Sequence, residues 1–255
     1  MKIAPDTTVR VANSEAVSLE LDVSAELGEV RLLPKDGAVT VLPLDGNAFD
    51  WPILTAPNAV TVEWRMSGSE DAAFKNTVEV VSRHYFTLEQ LKAYGDGRDD
   101  FDELPDETLW DARQAATDVF EEAAHRSFVE RYGKTKDFGR GELLACAHRD
   151  VREVLTAGYA QASDSYLERM PGCGPFPKWV EYTYGAEEMP AEVSRAVLEL
   201  AAYTLRPSNR PIGATGESTD AGYIHFTTAG RDGATAIPEV NAAIEMFGAG
   251  GRLVW

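Results

Sequence analysis

Through the first 80 residues, apolar side chains recur at every second position. Val17, Leu19, Leu21 and Val23 form one such run; Val60, Val62 and Trp64 form another; Val78 and Val80 a third. Turn-forming stretches, PKDG at 34–37 and LDGN at 44–47, separate the runs. A period of two with turn punctuation predicts half-buried antiparallel strands. About five or six strands, arranged as a small β-sandwich or barrel-like domain, account for residues 1–83.

The period then changes. In FTLEQLKAYG, residues 86–95, Thr87 and Gln90 have the spacing of a capping box. Phe86 and Leu91 have that of a hydrophobic staple, and Gly95 suits the helix stop. A second helix is expected from Pro105 to Gly133, with Leu109, Ala112, Ala116, Val119, Phe120, Ala123 and Ser127 on its inward stripe. A third is expected over 141–162, with Leu144, Ala147, Val151, Val154 and Leu155 inward. WVEYTYG reads as a short strand. A fourth helix starts at Pro190 and stops at Pro207. Beyond it, RPSNRPIGATGESTDAG is polar and rich in turn formers, followed by a strand in GYIHFTTAG and a short helix in IPEVNAAIEMF. The expected fold class is α+β: an N-terminal antiparallel β-sandwich or barrel-like domain (1–83), a helical bundle (84–205) and an extended C-terminal arm (206–255).

Charge changes the picture more than size does. The net charge of −18 repels nucleic acid at long range and argues against a DNA-gripping surface. It suits a surface along which DNA slides without sticking. The start of the chain lacks the apolar core of a signal peptide, and no run approaches a membrane span of about 20 apolar residues. Production in a cytoplasm, with no membrane partner, is therefore expected. The two cysteines, Cys146 and Cys173, make no disulfide framework.

Four motifs invite chemistry, and each fails its own template. Glu122 and His125 have the Glu-x-x-His spacing of di-metal bundles, but such sites need a second copy. The residues three before His84, His148 and His225 are Val81, Ala145 and Gly222. Glu121 and Glu122 are read instead as charge partners of a surface histidine. HRD at 148–150 lacks the following asparagine of a kinase loop, where Leu155 stands, and is read as a helix surface. GKT at 133–135 lacks the leading glycine of a phosphate loop, where Phe128 stands. The acid pairs Asp99–Asp100 and Glu187–Glu188 are read as solvated surface rather than a glycosidase pair. No catalytic residue, metal ligand or cofactor is assigned, and the chain is not expected to be an enzyme.

The order of segments carries more information than any motif. VEVVSRHYFTLEQLKAY, LPDETLWDARQAATDVFEEAAHRSFVERY, PAEVSRAVLELAAYTLRP and GYIHFTTAG…AIPEVNAAIEMFG, in that order, resemble the head-to-tail connector, or adaptor, proteins of long-tailed bacteriophages. The matching features run from residue 78 to 247. The resemblance implies a helical-bundle protomer in a twelve-membered ring under the portal protein, extending the DNA channel. It also implies a platform for the next neck or head-completion protein, a virion location, and a C-terminal region that docks on the portal. The long N-terminal β-region departs from the smallest members.

The arm suits such docking on physical grounds as well. Ile212, Tyr223, Ile224, Phe226, Ile237, Phe247 and Trp255 are apolar pieces in a polar stretch that cannot bury themselves alone. They are the candidate partner-binding residues, with strand addition as one route. A second function class stays open: a β-sandwich ligand- or carbohydrate-binding module fused to a helical domain, with Trp51 and Trp64 on its binding face. The competing reading of those tryptophans is sandwich core.

Overall fold

The computed structural model describes residues 1–35, 37–94, 101–172, 178–206, 216–219, 222–225 and 234–249. In chain order, eight strands come first: β1 (Lys2–Ile3), β2 (Thr8–Ala12), β3 (Ser18–Leu21), β4 (Leu27–Pro34), β5 (Thr40–Pro43), β6 (Ala48–Asp50), β7 (Asn58–Met66) and β8 (Ala72–Val81). Helices α1 (Leu88–Ala93) and α2 (Asp106–Ala124) follow. Six strands come next: β9 (Arg131–Asp137), β10 (Leu143–Ala145), β11 (Val151–Val154), β12 (Tyr159–Gln161), β13 (Tyr166–Arg169) and β14 (Lys178–Tyr184). The chain continues with α3 (Ala191–Leu205), β15 (Gly216–Thr219), β16 (Gly222–His225) and α4 (Pro238–Phe247). The fold is α+β, its sheets mostly antiparallel, and no described sheet closes into a barrel.

Two compact units result, and each is discontinuous in sequence. One combines Met1–His84 with Ser127–Glu188; the other combines Tyr85–Arg126 with Met189–Trp255.

In the first unit, the expected alternation is realised: Val60, Val62 and Trp64 of β7 and Val78 and Val80 of β8 are all buried. The strands form a five-stranded sheet, β2-β8-β7-β4-β5, and a three-stranded sheet, β1-β3-β6. Two pairings, β1 with β3 and β2 with β8, are parallel, so the order is not a simple chain of hairpins. The Phe49 ring of β6 meets Trp64 of β7 edge-on at 5.3 Å and ties the two sheets together. The Trp64 indole donates to Asn76 Oδ1 at 2.9 Å, and the Asn76 amide donates in turn to the Ala4 carbonyl at 2.8 Å. A buried indole N–H thus has its partner, as a low-dielectric core demands.

The stretch expected to be helix over 141–162 is β-structure. β10, β12 and β13 form one small sheet, and β11, β14 and β9 another. Val151, Tyr159, Leu167, Val180, Tyr182 and Tyr184 make their common core. The helical spacing of Leu144, Ala147, Val151, Val154 and Leu155 is coincidental. Strands of three or four residues, set apart by tight turns, return apolar side chains at intervals that mimic a helix. Left-handed backbone at Asp150 and at Gly158 breaks any helix there. Gly133 in β9 is required by packing: a Cβ there would sit 2.8 Å from the Tyr182 ring and 2.9 Å from the Tyr184 ring.

Glu79 on β8 joins this β-segment to the first one. Arg10 on the paired strand β2 donates to its carboxylate at 3.0 Å, and Arg131 at the head of β9 donates to the same oxygen. Burial works against ionisation of Glu79, but the two guanidiniums outweigh it and hold its carboxyl below the ordinary value.

The second unit is helical. Thr87 caps α1, with the reciprocal bond from the Thr87 N–H to Gln90 at 2.8 Å completing the box as expected. α2 is shorter than expected, ending at Ala124 with His125 as a left-handed cap. Its inward face is Leu109, Trp110, Ala112, Arg113, Ala116, Thr117, Phe120 and Ala124, so Val119, expected on the inward stripe, lies outside it, 44% exposed. Ser127 is buried, but beyond the helix. Pro105 and Pro190 sit one position before α2 and α3 rather than inside them, their fixed φ of −58° preparing each first turn. Tyr85 clasps the unit: its hydroxyl donates to Glu121 at 2.8 Å, and its carbonyl accepts from Ser194 at 2.6 Å. α4 closes tightly on the end of α2, with the Ala249 N–H donating to the Ala124 carbonyl at 2.7 Å.

Two outcomes are expected. Phe49→Ala should destabilise the protein by about 3–5 kcal/mol, read from urea unfolding, because it empties the seam between two sheets. Glu79 has a depressed folded pKa, so its stabilisation is complete above its ordinary value of 4.5 and is lost as pH falls below that. The urea midpoint of wild type should therefore fall more steeply than that of Glu79→Gln as the pH is taken below 4.5, and in parallel with it above that value.

Candidate docking site

The candidate docking residues do not share one environment. Ile212, Phe226 and Trp255 lie outside the described residues. Tyr223 and Ile224 lie on β16, opposite Ser218 and Glu217 of β15 in an antiparallel pair. Ile237 is 6% exposed at the start of α4, beside the buried Val240 and Ala243. Phe247 ends that helix half-buried, and its carbonyl accepts from Arg126 at 3.1 Å. The segment is thus heterogeneous: α4 packs as a helix on α2 and α3, whereas β15 and β16 are two short strands paired with each other.

α4 is positioned by its own lead-in. Asn241 Oδ1 accepts from the Thr235 N–H at 2.8 Å, and the Asn241 amide donates to the Thr235 carbonyl at 2.9 Å. This local clasp turns the chain into the helix. Pro238 at its first turn needs no N–H partner. Between α3 and α4 lies an open cleft of about 340 Å³ with Ala196, Ala243, Met246 and Phe247 along it and Glu192 and Glu199 at its rim.

The remaining motifs resolve into structural parts. Glu121 accepts from Tyr85, and His125 is the exposed cap of α2, with φ of 53°. Among the described residues, no group of three or more His, Cys, Asp or Glu side chains is placed to hold a metal. HRD lies in a turn before β11, not on a helix. The His148 ring stacks on Tyr184 at 3.9 Å and 7°. The Tyr182 hydroxyl accepts from the Ala147 N–H and lies 3.1 Å from His148 Nδ1. Burial, seconded by Arg131, lowers the His148 pKa and keeps the ring neutral. GKT is the middle of β9. Glu187 and Glu188 are exposed; Asp99 and Asp100 lie outside the described residues. Cys146 is a free, half-buried thiol pushed up to about 11 by burial, which makes it a poor nucleophile. Cys173 lies outside the described residues.

One buried network went unseen in the sequence. Asp137 at the end of β9 accepts from Arg169 at 2.6 Å and from the Tyr159 hydroxyl at 2.6 Å. Burial opposes its ionisation, but these bonds and the Gly139 N–H hold its carboxyl low. It pins the β9 end to the β12–β13 sheet. Trp51 and Trp64 are 6% and 0% exposed. They belong to the core, and the binding face proposed for a carbohydrate module is absent from those positions. Among the described residues the most exposed aromatics are instead Phe138 and Trp179, at 66% and 54%. Lys134, Lys136 and Phe138 alternate just beyond the expected helix end at Gly133, and Trp179 joins them only through the β9–β14 pairing.

Replacing His125 with glycine should raise stability by about 1 kcal/mol, since glycine adopts left-handed backbone without strain. A histidine that held a metal would instead lose stability on replacement. Thermal unfolding with and without a chelator distinguishes the two.

No protein-family model and no curated protein matches the chain. Two solved chains are similar over part of it. One is from the neck of an empty GTA particle computed with C6 symmetry, the other from the virion of a native gene transfer agent (GTA) particle. Each is 16% identical, with 51% of this chain and 83% of the other covered, at a TM-score of 0.39. At that overlap the likeness by itself assigns neither family nor function. Among the described residues no helix is long and apolar enough to cross a membrane.

Proposed function

We propose that this chain is a structural subunit of a virion neck, an adaptor that joins a ring under the portal protein and extends the channel through which DNA passes. One observation carries the reading. The helices in the stretches that resemble phage adaptors are separated in sequence by residues 127–188, yet α1, α2, α3 and α4 gather in a single compact unit. The ends of two of those stretches, VEVVSRH and SFVERY, join the β-unit with the intervening residues. Helices that gather across such an interruption are what a shared helical core with a β-rich elaboration would leave.

Physical chemistry supports the same role. A net charge of −18 gives DNA phosphates little to hold, which a conduit requires. Copies of the chain in a ring of twelve, with a further neck or head-completion protein below, are the arrangement the resemblance implies. No catalysis is required of any residue. The function is geometric, and the virion is where it is exercised.

The docking arm narrows to the candidates other than Ile237 and Phe247. Ile237 and Phe247 contribute to the helical unit, so removing residues 206–255 entire would damage that unit and prove nothing about docking. Tyr223, Ile224 and Phe226 of the hairpin region, Ile212 before it and Trp255 at the end are the portal-facing candidates, with a strand added to a sheet edge as the route.

The test is electron microscopy of the purified chain mixed with portal rings. Wild type should decorate one end of the portal. A Tyr223→Ala, Phe226→Ala chain shortened by residues 250–255 should lose decoration, with its urea unfolding free energy measured alongside as the control for folding. Normal decoration by that variant would reject the arm assignment. Absence of decoration by wild type would reject the neck role.

A further inference from the structure

The outward face of β9 and β14 differs from the rest of this acidic chain. Lys134, Lys136 and Phe138 follow one another at two-residue spacing, and Trp179 pairs directly across from Lys136. The Lys134 ammonium lies 5.2 Å from the Trp179 ring centre and the Lys136 ammonium 5.9 Å; Lys136 also lies 5.3 Å from Phe138. Both lysines are exposed, and the two rings are more than half exposed. Glu181, next along β14, is matched by Lys35 at 3.8 Å. The result is a flat strip carrying two ammonium groups beside two large uncovered rings. Exposed tryptophan set beside charge is a common centre of protein–protein contact.

We infer that this strip is an interface, and that its occupant is the acidic face of α2 in a second copy of the chain. The argument is charge and spacing. On α2, Glu107, Asp111, Ala115, Asp118 and Glu122 share one exposed face, with Val119 exposed beside them. Partial burial, with Glu107 close by, holds the Asp111 carboxyl above its ordinary value. Carboxylates crowded in this way gain when ammonium groups approach. Alternate strand residues stand about 6.6 Å apart, and helix residues four apart are separated by about 6 Å along the axis. Lys134 and Lys136 therefore match Glu107 and Asp111 in step, while Phe138 has the small side chain of Ala115 to lie against and Trp179 flanks the Lys136–Asp111 pair. Nucleic acid suits the strip less well. Two ammonium groups on a body of net charge −18 cannot hold a phosphate backbone at ordinary salt.

The contact is heterologous: each copy offers a different patch to the next, the geometry from which closed rings are built. It deepens the ring reading and rests on it only for the expectation that copies meet. The two faces themselves come from the structure.

Sedimentation velocity of the full chain provides the test, run at low salt, with roughly 50 mM chosen to limit screening. Wild type should associate with rising concentration, and added salt should weaken the association. Lys134→Glu with Lys136→Glu should weaken it by roughly thirtyfold or more, as should Glu107→Lys with Asp111→Lys. An equimolar mixture of the two variants should associate again, because the opposed charges are restored. Trp179→Ser, which touches no core, should reproduce the loss should a charge variant misfold. Variants that associate like wild type, or a mixture that stays apart, would overturn the pairing while leaving portal decoration intact. Wild type that remains monomeric alone and with portal rings would overturn both the pairing and the ring reading. Single-stranded DNA binding that is lost in Trp179→Ser would overturn it in favour of a nucleic-acid site.

Discussion

The carboxylate of Glu79 is the constraint on which the β-unit depends. The chain leaves this unit after His84, builds α1 and α2, and returns at Ser127. Arg131, four residues after re-entry, joins Arg10 on the one carboxylate that β8 presents. Three charges, drawn from three distant segments, meet where water is scarce. A buried charge without its partners is costly, so the return of the chain and the register of β2 on β8 are coupled. Close packing seconds the latch. Gly185 lies so near the Val129 carbonyl that no Cβ fits, and the Ala186 N–H donates to the Ser127 carbonyl at 2.8 Å. The start and end of the second β-segment, Ser127–Glu188, are thereby stitched side by side.

The helical unit obeys the same logic with different chemistry. Its halves are separated by some sixty residues of β-structure, Ser127–Glu188, yet α3 packs on α2, and the two helices bury several small side chains, Ala112, Ala116 and Ala124 on α2 and Ala196, Ala201 and Ala202 on α3. Small residues permit close approach of helices. Tyr85, at the junction between units, spends its ring on Phe120, its hydroxyl on Glu121 and its carbonyl on Ser194. One residue thus holds α2 and α3 in place. α4 completes the packing, which is why two of the apolar positions once grouped with a docking arm, Ile237 and Phe247, serve this unit.

Charge is distributed with equal economy. An acidic surface keeps copies soluble and keeps phosphates from sticking. The lysine–aromatic strip is an exception confined to the exposed side of two paired strands, and it is invisible to net charge.

What the sequence determined by itself was whatever local physics settles: period-two strands around Val60, Val62 and Trp64, the capping box at Thr87 and Gln90, a strand in WVEYTYG and the short helix after Ile237. Each depends on neighbours within a few residues, and each stands in the structure. The segments resembling phage adaptors were legible for the same reason. Tertiary structure alone decided the rest. Leu144, Val151 and Val154 satisfy a helical period as well as a strand core, and only pairing with β13 and β14 chose the strands. Trp179 reads as one more apolar residue of a strand until its partner strand is known, and Lys136 lies across from it only because β9 pairs there. Contacts between residues forty apart carry no periodic signature, so their energy decides the fold without being written in any short stretch of the chain.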